Sequence, residues 1–239
     1  MVKAKLTTTL FVPVLNEIDG IKKVMPKIDS NWVDQILIVD GGSKDGTVEY
    51  ARKKGYSVII QKKPGIRNAY IEALPYMKGE VIVAFSPDGN CVPENIPLLI
   101  EKIQQGYDMV IASRFMKGAK SYDDNSLTAF GNWGFTFLTN LIHGAKYTDV
   151  LNMFRAFKKS MISDLDLDKE ISYCWEEALF RTKICIIPLM SIRSAKRKLN
   201  VTEIPGDEPA RVGGKAKLQP FRWGAAYLTQ ILREKFYWR

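Results

Sequence analysis

The chain has 239 residues, of which 46% are hydrophobic and 11% aromatic, so it carries enough apolar material for a packed core, and a globally disordered chain is excluded. This length predicts one large domain, or one domain with a small appendage. The formal net charge of +9 favours polyanionic partners: nucleotide phosphates, nucleic acid or an anionic membrane surface.

The sequence carries neither a zinc nor a disulfide signature. Cys91, Cys174 and Cys185 are far apart and form no CxxC pair, which predicts a reducing, cytoplasmic setting. The N-terminal apolar run is broken by Pro13 and lacks the length and cleavage site of a signal peptide. The apolar segment 127–145 contains two asparagines and a histidine, so we expect that it does not span a bilayer.

The first half of the chain alternates between apolar, β-rich runs and segments with helical spacing. The apolar runs predict strands at 8–14, 35–39, 57–60, 81–85 and 109–112. The intervening segments predict helices at 17–28, 46–54, 67–77 and 93–105. This alternation predicts an α/β fold of the Rossmann-like kind, with a mostly parallel central sheet flanked by helices.

Polar residues collect where the predicted strands end. They are "NE" after the first strand, "DGGSKDGT" after the second, "SPDGN" after the fourth and "SRF" after the fifth. The carboxyl ends of parallel strands share one edge of the sheet, and ligands of such sheets bind outside that edge. The sequence therefore predicts an active cleft there.

The second half is less regular. It predicts a polar loop at 116–124, a helix at 127–143 that is apolar nearly all round, a strand or irregular crossing at 149–159, a helix at 172–183, a further strand at 184–192 and a loop at 206–217. The tail at 219–239 is predicted to form a basic, aromatic, amphipathic helix, which suits either a membrane surface or packing within the domain.

The strand-end residues have both structural and functional interpretations. Asn16 suits a helix cap as well as a binding site, and the Asp40 carboxylate could accept hydrogen bonds from a ribose or a base edge. The stretch contains no GxGxxG and no GxxxxGK[ST], so neither the phosphate turn of a dinucleotide fold nor a P-loop is predicted. No module with clustered basic and aromatic residues stands out, so we expect no nucleic-acid partner.

Taken in order, five stretches of the sequence resemble the family 2 glycosyltransferases of GT-A fold, and among them the dolichol-phosphate mannose synthase-like members. These stretches are "FVPVLNE", "IVDGGSKDGT", "SPDGN", "ASRF" and "RVGGKAKL". The resemblance covers nearly the whole chain, and its first two stretches are the most specific. It implies a single GT-A domain over 1–239, in which 1–115 bind a nucleotide-sugar, 116–218 form the acceptor side and 219–239 form the C-terminal helix.

The resemblance also implies where the donor binds. The base and ribose side of the pocket would be lined by Pro13, Leu15, Glu17 and Asp40. Near the nucleotide would lie Gly65 and Arg67, at the start of a helix whose free N–H groups favour a phosphate. The donor would be linked to UDP or GDP.

A divalent cation, Mg²⁺ or Mn²⁺, is implied at "FSPDGN". The family's Asp-x-Asp pattern and the polar residue that follows it map onto Ser86, Asp88 and Asn90, which point the same way on an extended backbone. Ser86 replaces the first carboxylate, which would weaken the metal site. The structural alternative is an ordinary Pro-Asp-Gly turn.

The remaining motif matches imply an inverting transfer from the nucleotide-sugar to a lipid phosphate or a glycan hydroxyl. Arg114 follows the fifth strand, and further matches are Asp149, Asn152, Arg155, Glu177, Arg181, Arg211, Gly214 and Lys217, with Glu176 adjacent and Ala216 where serine is usual. Arg211 and Lys217 would neutralise the leaving diphosphate. A hydroxyl acceptor requires a base, for which Glu177, Glu176 and Asp149 are the candidates, whereas a phosphate acceptor requires none.

Two alternatives remain open at this point. A nucleotidyltransferase would share the nucleotide-binding sheet, but "FVPVLNE" lacks the Gly-rich basic loop of that class. A catalytically impaired nucleotide-sugar-binding protein is the other alternative, and Ser86 is the main reason to consider it. We expect a cytoplasmic protein, either free or peripheral at a membrane.

Overall fold

A computed structural model describes residues 5–123, 126–213 and 220–238. A seven-stranded sheet runs through these residues in the order β3-β2-β1-β4-β6-β5-β7. The strands are β1 (Thr8–Val14), β2 (Gln35–Asp40), β3 (Ser57–Ile60), β4 (Val81–Ala84), β5 (Met109–Ser113), β6 (Arg155–Lys158) and β7 (Val201–Pro205). β6 runs antiparallel to both of its neighbours, and every other pairing is parallel.

Helices cover both faces of the sheet. They are α1 (Ile18–Val24), α2 (Thr47–Lys53), α3 (Ile66–Ala73), α4 (Asn95–Gln104), α5 (Ser126–His143), α6 (Met161–Asp164), α7 (Cys174–Phe180), α8 (Ile186–Lys196) and α9 (Pro220–Glu234). Short 3-10 turns occur at Met25–Lys27, Ser30–Trp32, Leu74–Tyr76 and Glu170–Ser172. The α/β prediction with a mostly parallel sheet is confirmed.

Two predicted helices end earlier than their periodicity suggests, and proline explains both. α1 and α3 each pass into a 3-10 turn that contains a proline in its first positions, Pro26 and Pro75. Proline has no N–H to donate within a helix, and its ring clashes with the preceding turn. The apolar periodicity of the sequence continues through these turns, because their side chains still pack on the core.

The strand predicted at 184–192 is wrong, because this segment forms helix α8. Nine consecutive residues of α8, 186–194, are buried, so the helix has no polar face and its sequence shows no amphipathic period. A mostly apolar run such as 184–192 does not distinguish a buried strand from a buried helix. Pro188 lies in the first turn of α8, where a missing N–H costs no helical hydrogen bond.

Side chains of the sheet alternate between two apolar clusters, one on each face. On one face Phe11 packs with Tyr70 of α3 and Ile187 of α8. On the other face Leu10 packs with Ile21 of α1. Because alternate residues of a strand point to opposite faces, this three-layer arrangement leaves the strand ends as the place where polar residues can gather.

The parallel register places four of the predicted polar strand ends at one edge of the sheet. Val14 pairs with Asp40, and Phe11 pairs with Ala84. β5 is antiparallel to β6, which is antiparallel to β4, so β5 also ends at this edge. The loops after β1, β2, β4 and β5 therefore meet, as the sequence predicted.

Buried ion pairs hold the C-terminal helix α9 against the rest of the domain. Arg193 of α8 and Glu234 of α9 are both fully buried, and the guanidinium donates to both carboxylate oxygens at 3.0 and 3.1 Å. Arg233 donates to Glu176 of α7 at 2.9 Å and to Glu234 at 3.1 Å. Helices α7, α8 and α9 are thereby joined through one network of charges.

Removing the charge of Glu234 should destabilise the fold strongly. In Glu234→Gln the buried Arg193 loses its counter-charge. Removing one partner of a buried ion pair lowers the free energy of unfolding by about 3–5 kcal/mol. Urea unfolding measures this loss. The matched control is Lys158→Gln, which removes the partly exposed pair with Asp108 and should cost about 1 kcal/mol or less. Equal losses in the two variants would contradict the prediction.

Candidate active site

The loops that follow β1 and β2 are bonded to each other. The Asn16 N–H donates to the Ser43 hydroxyl at 2.7 Å, and the Lys44 N–H donates to the Asn16 side-chain oxygen at 2.8 Å. The Ile18 N–H donates to Asp45 at 3.0 Å. Burial opposes the ionisation of Asp45, but hydrogen bonds from the Thr47 hydroxyl and from the N–H groups of Ile18 and Thr47 hold its pKa below the usual value. The two loops therefore form one unit at the edge of the sheet.

Asp40 is fixed in this unit with one carboxylate oxygen engaged and the other available. Its Oδ1 accepts the N–H groups of Gly42 and Ser43 at 2.8 and 2.9 Å. Its Oδ2 is buried and has no hydrogen-bond partner among the described residues. A buried carboxylate oxygen is costly to the fold unless it accepts a hydrogen bond. Asp40 is therefore suited to accept a hydrogen bond from a ligand.

A cavity of about 890 Å³ opens beside these loops. Seven of the predicted residues line it: Pro13, Leu15, Glu17, Gly65, Ser86, Glu177 and Arg181. Its remaining wall includes residues that the sequence did not single out, namely Gln61, Glu170, Thr182, Lys183, Arg222 and Trp223. Residues from both halves of the chain therefore enclose one space, whose size suits a small-molecule ligand.

Arg67 lies beneath this wall and is held by two carboxylates. It donates to Glu170 at 2.6 Å and to Glu177 at 2.8 Å, and its guanidinium stacks on the ring of Tyr173 at 4.4 Å. Burial lowers the pKa of Arg67, but the two glutamates outweigh it and raise that pKa above the usual value. Lys183 also donates to Glu177, at 2.5 Å. The charge of Glu177 is thus shared between two cations.

The turn that carries Asp88 is packed against the loop that precedes the undescribed residues 214–219. Arg211 contacts the Asp88 carboxylate at 2.9 Å, and the Val212 N–H donates to the Asp88 carbonyl at 2.8 Å. Gly89 has φ +99°, and a Cβ there would lie 2.5 Å from the Val212 side chain. Only glycine satisfies both constraints, so the turn and the loop are matched in shape as well as in charge.

The predicted metal-ligating residues form an incomplete set of oxygen donors. Asp88 is 7% exposed, Ser86 lines the cavity, and Asn90 donates its amide N–H to Asp123 at 2.7 Å. The side-chain oxygen of Asn90 is buried without a hydrogen-bond partner in the described part of the chain. Carboxylate and amide oxygens fit Mg²⁺ or Mn²⁺ when phosphate oxygens complete the coordination. No group of three or more His, Cys, Asp or Glu side chains with metal-site geometry occurs among the described residues.

Arg114 and Asp149 form a two-point ion pair below the strand end. The distances are 2.8 Å from Nε to Oδ2 and 3.1 Å from Nη2 to Oδ1. Asp149 is fully buried and also accepts the N–H groups of Leu151 and Asn152. Burial opposes its ionisation, yet the charge and hydrogen bonds of Arg114 hold the pKa of Asp149 below the usual value. The pair anchors the segment that leads into β6.

Two further motif residues are enclosed in the packing of the domain and do not line the cavity. Glu176 is fully buried between α7 and α9, where it pairs with Arg233, and burial raises its pKa. Arg155 is fully buried in β6 and donates to the carbonyls of Val150 and Asn152. Gly214, Ala216 and Lys217 lie outside the described residues.

Several cavity residues were missed, for identifiable reasons. Gln61 directly follows β3, so the strand-end rule that located Asp40 could have located it. Thr182 and Lys183 follow Arg181, which ends α7 in the left-handed region with φ 49°. Trp223 donates its indole N–H to the Thr182 hydroxyl at 3.0 Å, which brings the start of α9 to the cavity. No local sequence signal indicates this last contact.

The sequence matches the family described as Glycosyl transferase family 2 over residues 9–166. The chain therefore belongs to the family 2 glycosyltransferases, and it is a glycosyltransferase. The chain is 30% identical over 220 residues to a dolichyl-phosphate hexose transferase of Haloferax volcanii, with 91% of this chain and 89% of that protein covered.

Two other relatives carry similar names. The chain is 30% identical to the UDP-N-acetylglucosamine–dolichyl-phosphate N-acetylglucosaminyltransferase of Methanococcus voltae, covering 82% of this chain and 83% of that protein. It is 25% identical to the undecaprenyl-phosphate mannosyltransferase of Micrococcus luteus, covering 94% and 96%.

Solved structures with the same fold include glucosyl-3-phosphoglycerate synthase of Mycobacterium tuberculosis, in complex with Mn²⁺, uridine diphosphate and phosphoglyceric acid. The TM-score is 0.68 at 18% identity, with 98% of this chain and 80% of that protein covered. The predicted GT-A fold and the family resemblance are confirmed.

Protonation of Asp149 should account for part of the acid sensitivity of the fold. Its folded-state pKa is lowered. Its ion pair therefore contributes fully above about pH 4, the ordinary pKa of aspartate, and the contribution is lost as the pH falls through the folded-state value. The unfolding free energy of Asp149→Asn, measured in urea, should change less than that of the wild type between about pH 5 and about pH 2.

The control for this measurement is Asp164→Asn, because Asp164 is exposed at the end of α6. That variant should keep the pH dependence of the wild type. An unchanged pH dependence in Asp149→Asn would mean that this carboxylate does not contribute.

Proposed function

We propose that this glycosyltransferase moves a sugar from a UDP- or GDP-linked donor to a lipid phosphate, with inversion at the anomeric carbon. The observation that carries the proposal is the cavity at the carboxyl edge of the sheet. Uncharged residues and Glu17 of the first half form one wall. The second half contributes the cations Arg181, Lys183 and Arg222 together with the carboxylates Glu170 and Glu177. A wall with little charge that faces a wall with cations suits a ligand that carries both a nucleoside and phosphates.

The nucleoside end of the donor is assigned to the side formed by Pro13, Leu15 and Glu17, with Gly41 beside them. Asp40 precedes Gly41 and holds its second carboxylate oxygen free of protein hydrogen bonds among the described residues. A hydroxyl or N–H of the nucleoside would donate a hydrogen bond to that oxygen. The loops after β1 and β2 hold the Asp40 carboxylate in place before the nucleotide-sugar binds.

The diphosphate is assigned to the turn at Asp88. A divalent cation bound by Asp88, Asn90 and Ser86 would offset the negative charge of the diphosphate. Arg211, which contacts Asp88 at 2.9 Å, is placed to donate hydrogen bonds to a phosphate oxygen of the donor. Lys217, outside the described residues, keeps its predicted role at the leaving group.

An acceptor that is already anionic agrees with the state of the predicted bases. Glu177 is held by Arg67 and Lys183, and Asp149 by Arg114. The third candidate, Glu176, pairs with Arg233 and does not line the cavity. Carboxylates that are committed to ion pairs are poorly suited to take a proton, and a phosphate oxygen that attacks the anomeric carbon loses none. The names of the relatives, which include dolichyl and undecaprenyl phosphates, support the same class of acceptor.

Of the two alternatives from the sequence, the nucleotidyltransferase is set aside, and the catalytically impaired binding protein remains to be tested. Membership of the glycosyltransferase family sets aside the nucleotidyltransferase. A catalytically impaired binding protein would bind the donor without turnover, and the pairing of Asp88 with Arg211 beside Ser86 is the feature that would favour it. Donor binding and transfer must therefore be measured separately.

Donor binding should raise the melting temperature of the protein. A panel of UDP- and GDP-linked sugars, with and without Mn²⁺, is compared by thermal shift, and a ligand at about 100 times its Kd adds about 2.7 kcal/mol. Asp40→Asn should abolish most of the shift, because it keeps an oxygen for the two loop N–H groups and replaces the available oxygen by a donor. Glu101→Gln, on the exposed face of α4, is the control. No shift with any nucleotide-sugar would defeat the proposal.

Transfer should depend on the charge of Asp88. Asp88→Asn can still accept the Asn90 N–H but no longer carries the charge that faces Arg211, and we expect transfer to fall to background. Ser86→Asp should retain or raise the affinity for Mn²⁺, measured by electron paramagnetic resonance in the absence of donor. Full transfer activity in Asp88→Asn would overturn the assignment.

A further inference from the structure

Helix α5 presents its apolar residues to the outside and its polar residues to the protein. The side chains of Phe130, Trp133, Phe137 and Leu141 are 68%, 60%, 50% and 67% exposed. Their spacing of three and four residues forms one stripe, along which the rings stack at centroid distances of 5.8 and 5.6 Å. The buried polar residues of the helix are Asn132, Thr136 and Thr139.

Helix α7 repeats this inverted pattern, and α9 does so in part, because it also buries Ala226, Tyr227 and Ile231. Beside and along α7, Ile171, Trp175 and Leu179 are exposed, whereas Glu176 and Glu177 are buried. In α9 the exposed apolar residues are Phe221, Leu228 and Leu232, and the buried polar ones are Gln230 and Glu234. α9 packs against both α5 and α7, so the three stripes lie on neighbouring helices.

Most of the exposed apolar side chains in the described part of the protein belong to this region. Twelve of the eighteen large ones lie in or directly beside the three helices, and we call them the α5–α7–α9 surface: Phe130, Trp133, Phe137, Leu141, Ile171, Trp175, Leu179, Phe221, Leu228, Leu232, Phe236 and Tyr237. A helix of a water-soluble protein normally turns its apolar stripe towards the core. A concentration of this kind marks a surface that meets another apolar phase.

The charges of the same helices indicate what that phase is. α5 contains no Lys, Arg, Asp or Glu, and the carboxylates of α7 and α9 are all buried. The exposed charged residues next to the stripes are mostly cations: Arg181, Lys183, Arg222 and Lys235. The exposed carboxylate beside Ile171 is Glu170, which is paired with Arg67 at 2.6 Å. Two copies of a cationic surface repel each other, whereas an anionic lipid headgroup layer attracts it. Trp and Tyr among Phe and Leu are typical of the interfacial layer of a bilayer.

The surface adjoins the proposed active site. Cys174 and Ala178 of α7, and Arg222 and Trp223 of α9, line the cavity. A bilayer in contact with the stripes would therefore hold its headgroups next to the opening. No helix in the described ranges is long and apolar enough to cross a membrane.

We propose that the α5–α7–α9 surface enters the interfacial layer of an anionic bilayer and lies on the membrane without spanning it. The cavity then opens towards the headgroups, from which a lipid-linked phosphate reaches the sugar donor. This last step rests on the proposed function. The binding of the surface to lipid does not, because it follows from the exposure and charge of the three helices alone.

Co-sedimentation with lipid vesicles tests the surface. The wild type should bind vesicles of phosphatidylcholine mixed with phosphatidylglycerol more strongly than vesicles of phosphatidylcholine alone. The triple variant Phe130→Ser, Trp133→Ser, Phe137→Ser should lose about tenfold or more of this binding. Because these side chains are exposed, the melting temperature and the donor-induced shift should stay at wild-type values.

The matched control removes three apolar side chains that are equally exposed elsewhere: Ile60→Ser, Tyr76→Ser, Leu98→Ser. It should bind vesicles as the wild type does. The proposal is overturned by wild-type protein that does not bind anionic vesicles, or by equal losses in the stripe and control variants. A dimer in analytical ultracentrifugation that the stripe variant dissociates, without vesicle binding, would assign the surface to a second copy instead.

The fluorescence of Trp133 gives a second, independent measurement. The difference between the wild type and Trp133→Phe isolates this indole from the other tryptophans. Its emission should shift to the blue on anionic vesicles and should be quenched by lipids brominated on their acyl chains. An unshifted Trp133 signal on vesicles that do bind the protein would exclude α5 from the contact. Donor binding is measured separately by thermal shift. Vesicle binding without any donor-induced rise in melting temperature would therefore contradict the proposed function but not the proposed contact of the α5–α7–α9 surface with lipid.

Discussion

The ion pair between Arg67 and Glu177 joins the two halves of the chain across the wall of the cavity. Arg67 belongs to α3, in the half to which we assign the nucleoside, and Glu177 belongs to α7, in the half that contributes Arg181, Lys183 and Arg222 to the cavity. Both side chains are about 5% exposed, so their attraction is weakly screened and the loss of either partner would leave a buried charge. The placement of Lys183, and through α7 the placement of α9, follows from this contact. A cavity built from two distant segments thus has a fixed width.

Much of the architecture follows from short-range sequence patterns. The strands from Thr8 to Ser113 were predictable because apolar runs alternate with helical segments, and their polar ends located Asp40 and Asp88. Helix α8 was not, because its residues are buried on all sides and the amphipathic period is lost. The part of the cavity formed by Thr182 and Trp223 depends on the docking of α9 on α7, and a contact 41 residues apart has no local signal.

The contact between Arg211 and Asp88 bears on the charge of the turn in which Ser86 stands at the first position of the Asp-x-Asp pattern. An Asp-x-Asp pair would place two negative charges in one turn, which a divalent cation balances. With serine at the first position only one carboxylate remains, and a single guanidinium at 2.9 Å neutralises it. The Val212 N–H and the glycine at position 89 hold the Arg211 loop against this turn. The charge of Asp88 is therefore neutralised within the protein before any ligand arrives.

The buried ion pairs of the C-terminal region also determine how its helices are rotated during folding. The stripes of α7 and α9 are apolar enough to compete for the core, and a helix turned by half a revolution would cover them. Such a rotation would carry Glu176 and Glu234 into water and leave Arg193 buried without its partner, at a cost of about 3–5 kcal/mol. The charges at the centre of the packing thus select the one orientation in which the apolar faces remain outside, so the side of the domain that we propose to face lipid is specified by buried residues.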